Sequence, residues 1–437
     1  MINNLAIKVV GICAATFLMF LPHHHTMRLI TSNEIVFGWI ELLQFVSMCC
    51  IGIHFLFITD RFWKKVIVVY IFSCFLVLSS VNLESLFLSL RGFMRVVGVF
   101  APMLVLPFLV TEHCERNSKL FRLFYTCFTI NVIFISLWLL VEASLGLGGK
   151  FHKDLLVDWA YTRGFTRRAF YAFDSPMVAG QWMWMFGCLL IFLIFPYVKN
   201  RIHSLLVLSA GFLSFFATFP TISRGPWILV AISVVCYFLI NLQRGVKSLV
   251  YIIFLGAAIC LSSLVFASMN ADIRDSVMLY VDDLFDTDER ANEGRLYVMS
   301  VGARAIYDAL PFGYGLSQFA IGSGESSLDI NNFENTYLNY MVNLGLAGFY
   351  FALVVIAIFL STIVRGAHFI FVRRLRDPVV DSAFVMSLAL FLYTFASPLC
   401  ASRAGSMVLS LVLIIGVYAN LRINIMTKKR YDLGDRL

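Results

Sequence analysis

The chain contains little charge, since Asp, Glu, Lys and Arg together make up 14% of its 437 residues while 60% are hydrophobic. The apolar share of a soluble domain is nearer ~45 to 50%, so the composition excludes a globular protein in water. Apolar runs long enough to cross a bilayer recur along the chain and predict an all-α polytopic membrane protein with about 12 transmembrane helices, in a single domain over residues 1–437. The predicted spans are 5–21, 35–58, 66–81, 95–110, 123–145, 177–197, 204–222, 226–241, 248–268, 335–363, 380–397 and 404–421.

No continuous basic stripe accompanies the net charge of +8, which argues against nucleic acid as a partner. The Lys and Arg residues instead form short clusters in every second connection, and clusters of this kind face the cytoplasm. Both termini, including a tail over 422–437, are therefore expected in the cytoplasm. A shorter loop over 146–176 and a long loop over 269–334 are expected on the outside.

The sequence also lacks the patterns of a disulfide framework or a metal site. Its 10 Cys lie mostly inside apolar runs, where they are expected to pack as small residues. Neither Cys49-Cys50 nor His23-His24-His25 has the spacing of a zinc site, so no metal and no cofactor is predicted. No internal repeat indicates an inverted-repeat transporter.

One polar interval, Met269 to Tyr337, interrupts the apolar pattern. It holds no lysine, four arginines and eleven acidic residues besides Glu334. Most of the acids are expected to be solvated or paired within the loop. We interpret the interval as an active-site loop held outside the membrane, over a bundle of helices that supplies more arginine.

Arg224 lies in the tight connection Ser223-Arg224-Gly225-Pro226-Trp227 between two apolar runs. Proline suits the first turn of a helix, so the next helix is expected to begin near Pro226, on the outer side. The free N–H groups and positive dipole end of a helix favour an anion there, and phosphate is a candidate. The alternative is an interfacial arginine that reaches towards lipid headgroups.

Further arginines are predicted on the same side. Arg403 opens the last span as Arg224 precedes the eighth, and Arg295 and Arg304 lie in the long loop. Several arginines together fit a diphosphate, because the guanidinium fork binds phosphate oxygens in pairs. The alternative is that the loop arginines pair with the acids of the same loop. The shorter loop contributes Arg163, Arg167 and Arg168.

Glu334 is predicted in the first turn of the tenth span, where the helix dipole favours a carboxylate. The functional interpretation is a general base that takes a proton from a sugar hydroxyl; the structural one is a stabilising charge. Asn335 and Tyr337 are candidate sugar-binding or capping groups. The turn Leu310 to Gly315 contains glycines that allow close backbone approach.

At these residues the sequence resembles the superfamily of bacterial O-antigen ligases and O-antigen or exopolysaccharide polymerases. The resemblance rests on Ser223-Arg224-Gly225 with Trp227, Gly294-Arg295, Pro311-Phe312-Gly313-Tyr314-Gly315, Asn335-Thr336-Tyr337-Leu338 followed by Gly345-Leu346-Ala347-Gly348, and Phe173-Asp174-Ser175-Pro176. It covers residues 165–350 in detail.

The resemblance implies a metal-independent glycosyltransferase of the GT-C type in the bacterial inner membrane, with its active site on the periplasmic face. Its donor would be an undecaprenyl-diphosphate-linked glycan and its acceptor another glycan. Arg224 and Arg295 match the family's diphosphate-binding arginines. Ligases of the family typically carry a histidine just before the asparagine, where this chain has Glu334, and this difference favours a polymerase.

We therefore predict a polymerase of lipid-linked repeat units, with Arg224, Arg295 and Glu334 catalytic. Arg403, Arg304, Arg168, Asn335 and Tyr337 are predicted to bind substrate. Membrane lipid, a chain-length regulator and a flippase are the other expected partners. The alternatives are ligase-type transfer to lipid A core or to protein and, in another class, a flippase or transporter of lipid-linked oligosaccharide.

Overall fold

The computed structural model describes residues 119–144, 169, 173, 176–221, 223–242, 289–314, 335–395 and 403–434. These residues contain nine α-helices and no β-strand. The helices are α1 (Lys119–Ser144), α2 (Pro176–Cys188), α3 (Arg201–Phe216), α4 (Arg224–Leu242), α5 (Glu289–Ala309), α6 (Thr336–Leu344), α7 (Leu346–Ala367), α8 (Pro378–Thr394) and α9 (Arg403–Gly434). A π-helical turn, Leu189–Ile194, prolongs α2, and another, His368–Val372, prolongs α7.

The apolar helices agree with the all-helical membrane architecture. Six described segments are long and apolar enough to cross a membrane, and α8 is a shorter apolar helix. The six segments are Tyr125–Ser144, Pro176–Tyr197, Arg201–Thr221, Arg224–Asn241, Leu346–Val372 and Val408–Thr427. The predicted spans at 5–21, 35–58, 66–81, 95–110 and 248–268 lie outside the described residues. The last helix continues through most of the predicted tail, to Gly434.

The helix α2 is the centre of the described bundle. It packs against α1, α3, α4, α8 and α9, and Trp182, Trp184 and Phe186 are fully buried in it. Small residues bring α2 and α3 together: a Cβ on Gly187 would lie 2.3 Å from the Phe215 ring. Membrane helices associate through close contacts of this kind, because burial from lipid gives little driving force.

The predicted continuous span over 335–363 is wrong, because the chain breaks at Gly345 into α6 and α7. Gly345 has φ 57° and ψ −128°, a backbone conformation that only glycine adopts readily. The short helix α6 has nine residues, too few to cross a bilayer. The membrane-crossing segment begins at Leu346.

An amphipathic helix, α5, lies within the predicted long polar loop. Its main packing partner is α6, with Ala305 against Val342 at the centre of the contact and Val298, Ile306 and Leu338 around it. Val298, Ala305 and Ile306 therefore lie on the face of α5 that meets α6, whereas Tyr297 and Tyr307 are exposed. This contact holds part of the polar interval against the membrane helices.

The helices α8 and α9 form an antiparallel pair. At one end, Asp377 caps α8 by accepting hydrogen bonds from the N–H groups of Val379 and Val380, at 3.0 and 3.2 Å. The same carboxylate pairs with Arg422 of α9. At the other end, α8 stops at Thr394 and α9 begins at Arg403. We call the end of the bundle that holds Thr394 the Thr394 end.

Candidate active site

Arg224 is the first residue of α4, two residues earlier than the predicted start at Pro226. Its side chain is half-buried, and Ser223 before it is buried. Two contacts fix this end of the helix. The indole N–H of Trp227 donates to the carbonyl oxygen of Thr218 at 3.0 Å, and Pro226 packs so closely on α2 that a Cβ on Gly180 would lie 2.6 Å from it.

Tyr393 of α8 covers the start of α4. A Cβ built on Gly225 would lie 2.2 Å from a ring carbon of Tyr393 and 2.7 Å from its hydroxyl oxygen, so only glycine fits at 225 without movement. The amide of Gln181 in α2 donates to the Tyr393 hydroxyl at 2.9 Å, in a buried contact. Three helices, α2, α4 and α8, are thus joined next to Arg224.

The start of α6 is joined to the end of α8. Asn335 caps α6, because its side-chain oxygen accepts from the N–H groups of Tyr337 and Leu338 at 2.9 and 3.1 Å. Its side-chain N–H donates to the carbonyl oxygen of Phe395 at 3.1 Å, and the Tyr337 and Thr394 hydroxyls lie 2.8 Å apart. The predicted residues Asn335 and Tyr337 therefore lie at the Thr394 end, the same end as Arg224.

Tyr337 is buried, with 5% of its surface exposed. Burial raises the pKa of its phenol, and the hydrogen bond with Thr394 lowers it by less. The phenol therefore stays protonated near neutral pH. It can donate or accept a hydrogen bond but does not supply a negative charge.

The glycine-containing turn after α5 packs on the break between α6 and α7, backbone against backbone. The N–H of Tyr314 donates to the carbonyl oxygen of Val342 at 3.1 Å, and the N–H of Leu346 donates to that of Pro311 at 3.0 Å. A Cβ on Gly313 would lie 2.4 Å from the carbonyl oxygen of Asn343. The close backbone approach predicted for this turn is confirmed, and two of the motifs behind the family resemblance touch here.

Arg295 and Arg304 both lie on α5. Arg304 is exposed. By helix periodicity position 295 lies on the same face as Val298 and Ala305, the face that meets α6. The C-terminal ends of α5 and α6 meet at the Pro311 turn, and position 295 lies about 15 Å along α5 from Ala305. Position 295 is therefore near the N-terminal end of α5, on the side where α6 starts at Asn335.

Arg403 begins α9, eight positions after Phe395, and so its backbone lies at the Thr394 end. Glu334 and Arg168 lie outside the described residues. The neighbour of Arg168, Ala169, is buried and donates its N–H to the carbonyl oxygen of Pro220 at 3.0 Å. The described α6 begins at Thr336 with Asn335 as its cap.

Gln181 and Tyr393 were not among the site residues predicted from the sequence. A signal for Gln181 existed, because it is the one amide side chain in the apolar helix α2, and polar residues inside membrane helices are rare and often functional. No signal marked Tyr393, whose importance comes from contacts with residues more than 150 positions away in sequence.

The chemistry open to this end of the bundle is anion binding. The helices α2, α4, α6 and α9 all begin here, and each helix start carries a positive dipole end. Arg224 adds positive charge. In the described part of the chain, no group of three or more His, Cys, Asp or Glu residues is placed to hold a metal ion.

A family model described as O-Antigen ligase matches residues 209–353, about a third of the chain. The matched segment runs from α3 into α7 and contains positions 224, 295, 304 and 334 to 337, but neither 168 nor 403. No curated protein matches the sequence. Together with the apolar helices, the match indicates a multi-pass membrane protein. It confirms that the chain resembles the O-antigen ligase and polymerase superfamily, over residues 209–353.

Proposed function

We propose that this protein is a polymerase of lipid-linked polysaccharide repeat units. It would transfer a growing glycan from undecaprenyl diphosphate to the non-reducing sugar of another lipid-linked unit, at the outer face of the bacterial inner membrane. The observation that carries the proposal is the position of Arg224 at the start of α4, beside the ends of α6 and α8 and inside the family-matched segment.

In the reaction, the bond between the sugar C1 and the diphosphate oxygen breaks, while a bond forms between C1 and the acceptor hydroxyl oxygen. The diphosphate leaves with added negative charge, and the hydroxyl gives up its proton. Arg224 and Arg295 would neutralise the charge that develops on the diphosphate, assisted by Arg403 or Arg304. Glu334 would orient the acceptor hydroxyl or take its proton.

Arg168, Asn335 and Tyr337 are the remaining proposed substrate-binding residues. Asn335 and Tyr337 already bond to the end of α8 and to the backbone of α6, so their main contribution would be to hold the start of α6 against the bundle. Arg168, next to the buried Ala169, would add a guanidinium from the shorter outer loop. A chain-length regulator and a flippase would act with the polymerase.

Replacement of Arg224 or Arg295 by alanine tests the proposal. Purified protein is incubated with a defined lipid-linked repeat unit, and the product length is measured. We expect each variant to lose polymer formation by roughly 10²-fold or more, as for other groups that stabilise transition-state charge. Protein level and single lipid-linked repeats should remain unchanged.

Arg201→Ala is the matched control. Arg201 also begins an apolar helix, α3, and its side chain is exposed, but it lies at the opposite end of the bundle. The control should retain normal polymerisation. Polymer of normal length from both Arg224→Ala and Arg295→Ala would overturn the proposal.

Glu334→Gln tests the acceptor base separately. The amide keeps the shape and polarity of the side chain but cannot take a proton, so transfer should fall roughly 10²-fold or more if Glu334 is the base. Full activity of Glu334→Gln would eliminate that role, and Glu334 would then at most bind sugar.

The alternatives give different products in a deletion strain. A polymerase deletion leaves single repeat units on the outer leaflet, whereas a flippase deletion leaves them on the inner leaflet. Polymer that forms normally but stays on the lipid carrier would indicate a ligase. Because the matching family model is described as O-Antigen ligase, this last outcome is the main competitor.

A further inference from the structure

A cavity at the other end of the bundle combines positive charge with apolar walls. It has a volume of about 560 Å³ and lies between the end of α7 and the late part of α9. Its polar lining includes Arg365, His368 and Arg373. Thr427, also in the lining, lies about 36 Å along α9 from Arg403, so this cavity is separate from the candidate active site.

Both guanidinium groups in the cavity bond to neutral partners. Arg365 donates to the side-chain oxygen of Asn424. Arg373 donates to the Oγ1 of Thr427 at 2.9 Å and to the Nε2 of His368 at 3.2 Å. Neither arginine bonds to a carboxylate in these contacts.

No carboxylate of the described residues lies within ion-pair distance of Arg365 or Arg373. The nearby carboxylate of Asp377 is already paired with Arg422 and caps α8. Arg374 and Arg376, in the connection between α7 and α8, are exposed and add to the positive charge at this end. A cavity with two uncompensated guanidinium groups attracts an anion, and the guanidinium fork matches phosphate oxygens.

The rest of the cavity suits a hydrocarbon chain. Phe369 and Ile423 form a buried apolar wall, and Val364 in the lining is 63% exposed. Val364 continues an exposed apolar stripe along α7 with Leu353 and Leu360, the face that a bilayer would cover. A molecule with a phosphate in the cavity and acyl chains along α7 would satisfy both the charge and the apolar surface.

We propose that this cavity binds the headgroup of an anionic phospholipid, with phosphate contacts from Arg365 and Arg373 and acyl chains along α7. Basic pockets between membrane helices on the cytoplasmic side bind such headgroups in general, and the basic clusters of this chain predict that this end faces the cytoplasm. The bound lipid would link α7 to α9 at the end farthest from the candidate active site.

Thermal stability of the purified full-length protein in detergent tests the proposal. We expect added phosphatidylglycerol to raise the melting temperature and phosphatidylcholine to have little effect, since only a ligand that binds the folded state stabilises it. The double variant Arg365→Gln/Arg373→Gln should need roughly tenfold more phosphatidylglycerol for the same shift. Arg365→Lys/Arg373→Lys, which keeps the charge, should retain most of the response.

Arg374→Gln/Arg376→Gln is the matched control, because it also removes two positive charges, from exposed residues that do not line the cavity; it should respond as the wild-type chain does. Equal shifts from the two lipids, or an unchanged response of Arg365→Gln/Arg373→Gln, would overturn the proposal. So would an equal shift from inorganic phosphate alone, because the ligand would then be a soluble anion.

A second measurement does not depend on variants. Wild-type protein extracted from vesicles with equal amounts of phosphatidylglycerol and phosphatidylcholine is analysed by native mass spectrometry. Preferential retention of phosphatidylglycerol supports the site, and equal retention overturns it. Neither experiment involves glycan transfer, so its result is independent of the proposed polymerase activity.

Discussion

The position of Arg224 depends on Gly225, because a side chain at 225 would collide with the Tyr393 ring. Gly225 allows α8 to pack directly on the first turn of α4, and Gln181 holds the Tyr393 hydroxyl from α2. The guanidinium is therefore carried by a backbone that three helices fix. A shift of about 1 Å in a catalytic group can cost roughly 10²-fold in rate.

Gly225→Ala should lower the rate of glycan transfer by roughly 10²-fold, although Arg224 itself is unchanged. The added methyl group lies 2.2 Å from a Tyr393 ring carbon, so either the ring or the start of α4 must move. The measurement is the initial rate of polymer formation with a defined lipid-linked repeat, at equal protein level.

The double variant Gly225→Ala/Tyr393→Ala distinguishes this collision from other effects. With the ring removed, the alanine at 225 should cost much less than it does in the wild-type background, as expected for residues in contact. The same cost in both backgrounds would show that Tyr393 is not the reason that glycine is needed.

At the residue scale, the sequence predicted the arginine but not its surroundings. Ser223-Arg224-Gly225-Pro226 contains a local signal, because proline favours the first turn of a helix and arginine beside a helix start suits an anion. Gln181 and Tyr393 are 212 positions apart in sequence, and nothing in either local pattern indicates that they meet.

At the scale of the helices, the break at Gly345 between α6 and α7 could not be predicted from the hydropathy pattern. Residues on both sides of Gly345 are apolar enough to continue one span, so periodicity alone joins α6 to α7. The break depends on a backbone conformation at one glycine and on the hydrogen bond that the next residue, Leu346, donates to Pro311. These are tertiary interactions, which a single sequence does not reveal.

Gly345→Ala should destabilise the protein more than Gly366→Ala, a glycine substitution inside α7. The backbone conformation alone would cost about 1–3 kcal/mol in a residue with a side chain, and the Cβ would lie 2.3 Å from the carbonyl oxygen of Pro311. We expect a lower melting temperature in detergent and faster proteolysis near the turn after α5.

Gly366→Ala is the control within α7. Its Cβ would meet the Cβ of Phe384 at 3.1 Å, a contact that small movements can relieve, and its backbone is helical. An equal loss of stability in both variants would mean that helix packing, rather than the turn at Gly345, sets the effect.

The amide oxygen and the amide nitrogen of Asn335 make different hydrogen bonds, so substitutions can remove them separately. Asn335→Asp keeps the oxygen that caps α6 but loses the N–H that donates to Phe395. Asn335→Ala loses both, and removal of the cap alone costs about 1 kcal/mol. The melting temperature should therefore fall in the order wild type, Asp variant, Ala variant; equal values for wild type and the Ala variant would contradict the capping role.

At the scale of the whole molecule, the two basic regions are predicted on opposite sides of the membrane. Arg304 on α5 and Arg374 after α7 are both exposed, and the antiparallel helices between them separate the two ends. In a cysteine-depleted background, Arg304→Cys should react with a membrane-impermeant maleimide in intact cells. Arg374→Cys should react only after the membrane is permeabilised, as the cytoplasmic bias of basic clusters predicts.

Labelling of both positions from outside would reject this arrangement. The cysteine-depleted chain without an introduced cysteine provides the background. The experiment tests the orientation on which the periplasmic active site and the cytoplasmic lipid site both rest.

Hydropathy predicted where the described apolar helices lie but not how they are arranged. The segment at α2 has a mean hydropathy of 1.9 and is 94% buried, whereas the segment at α7 has 2.5 and is 33% buried. The more apolar helix is the more exposed one. Lipid tails and protein interiors favour the same side chains, so the sequence does not separate a central helix from a peripheral one.

The central position of α2 has a consequence for biosynthesis. Its partners α8 and α9 are made roughly 200 residues later than α2, so the face of α2 that contacts α8, with Gln181 on it, is covered only after that delay. The candidate active site, which needs Gln181 and Tyr393 together, is complete only after the last helices have entered the membrane. A chain that stops before α8 would expose this face and become a target for membrane quality-control proteases.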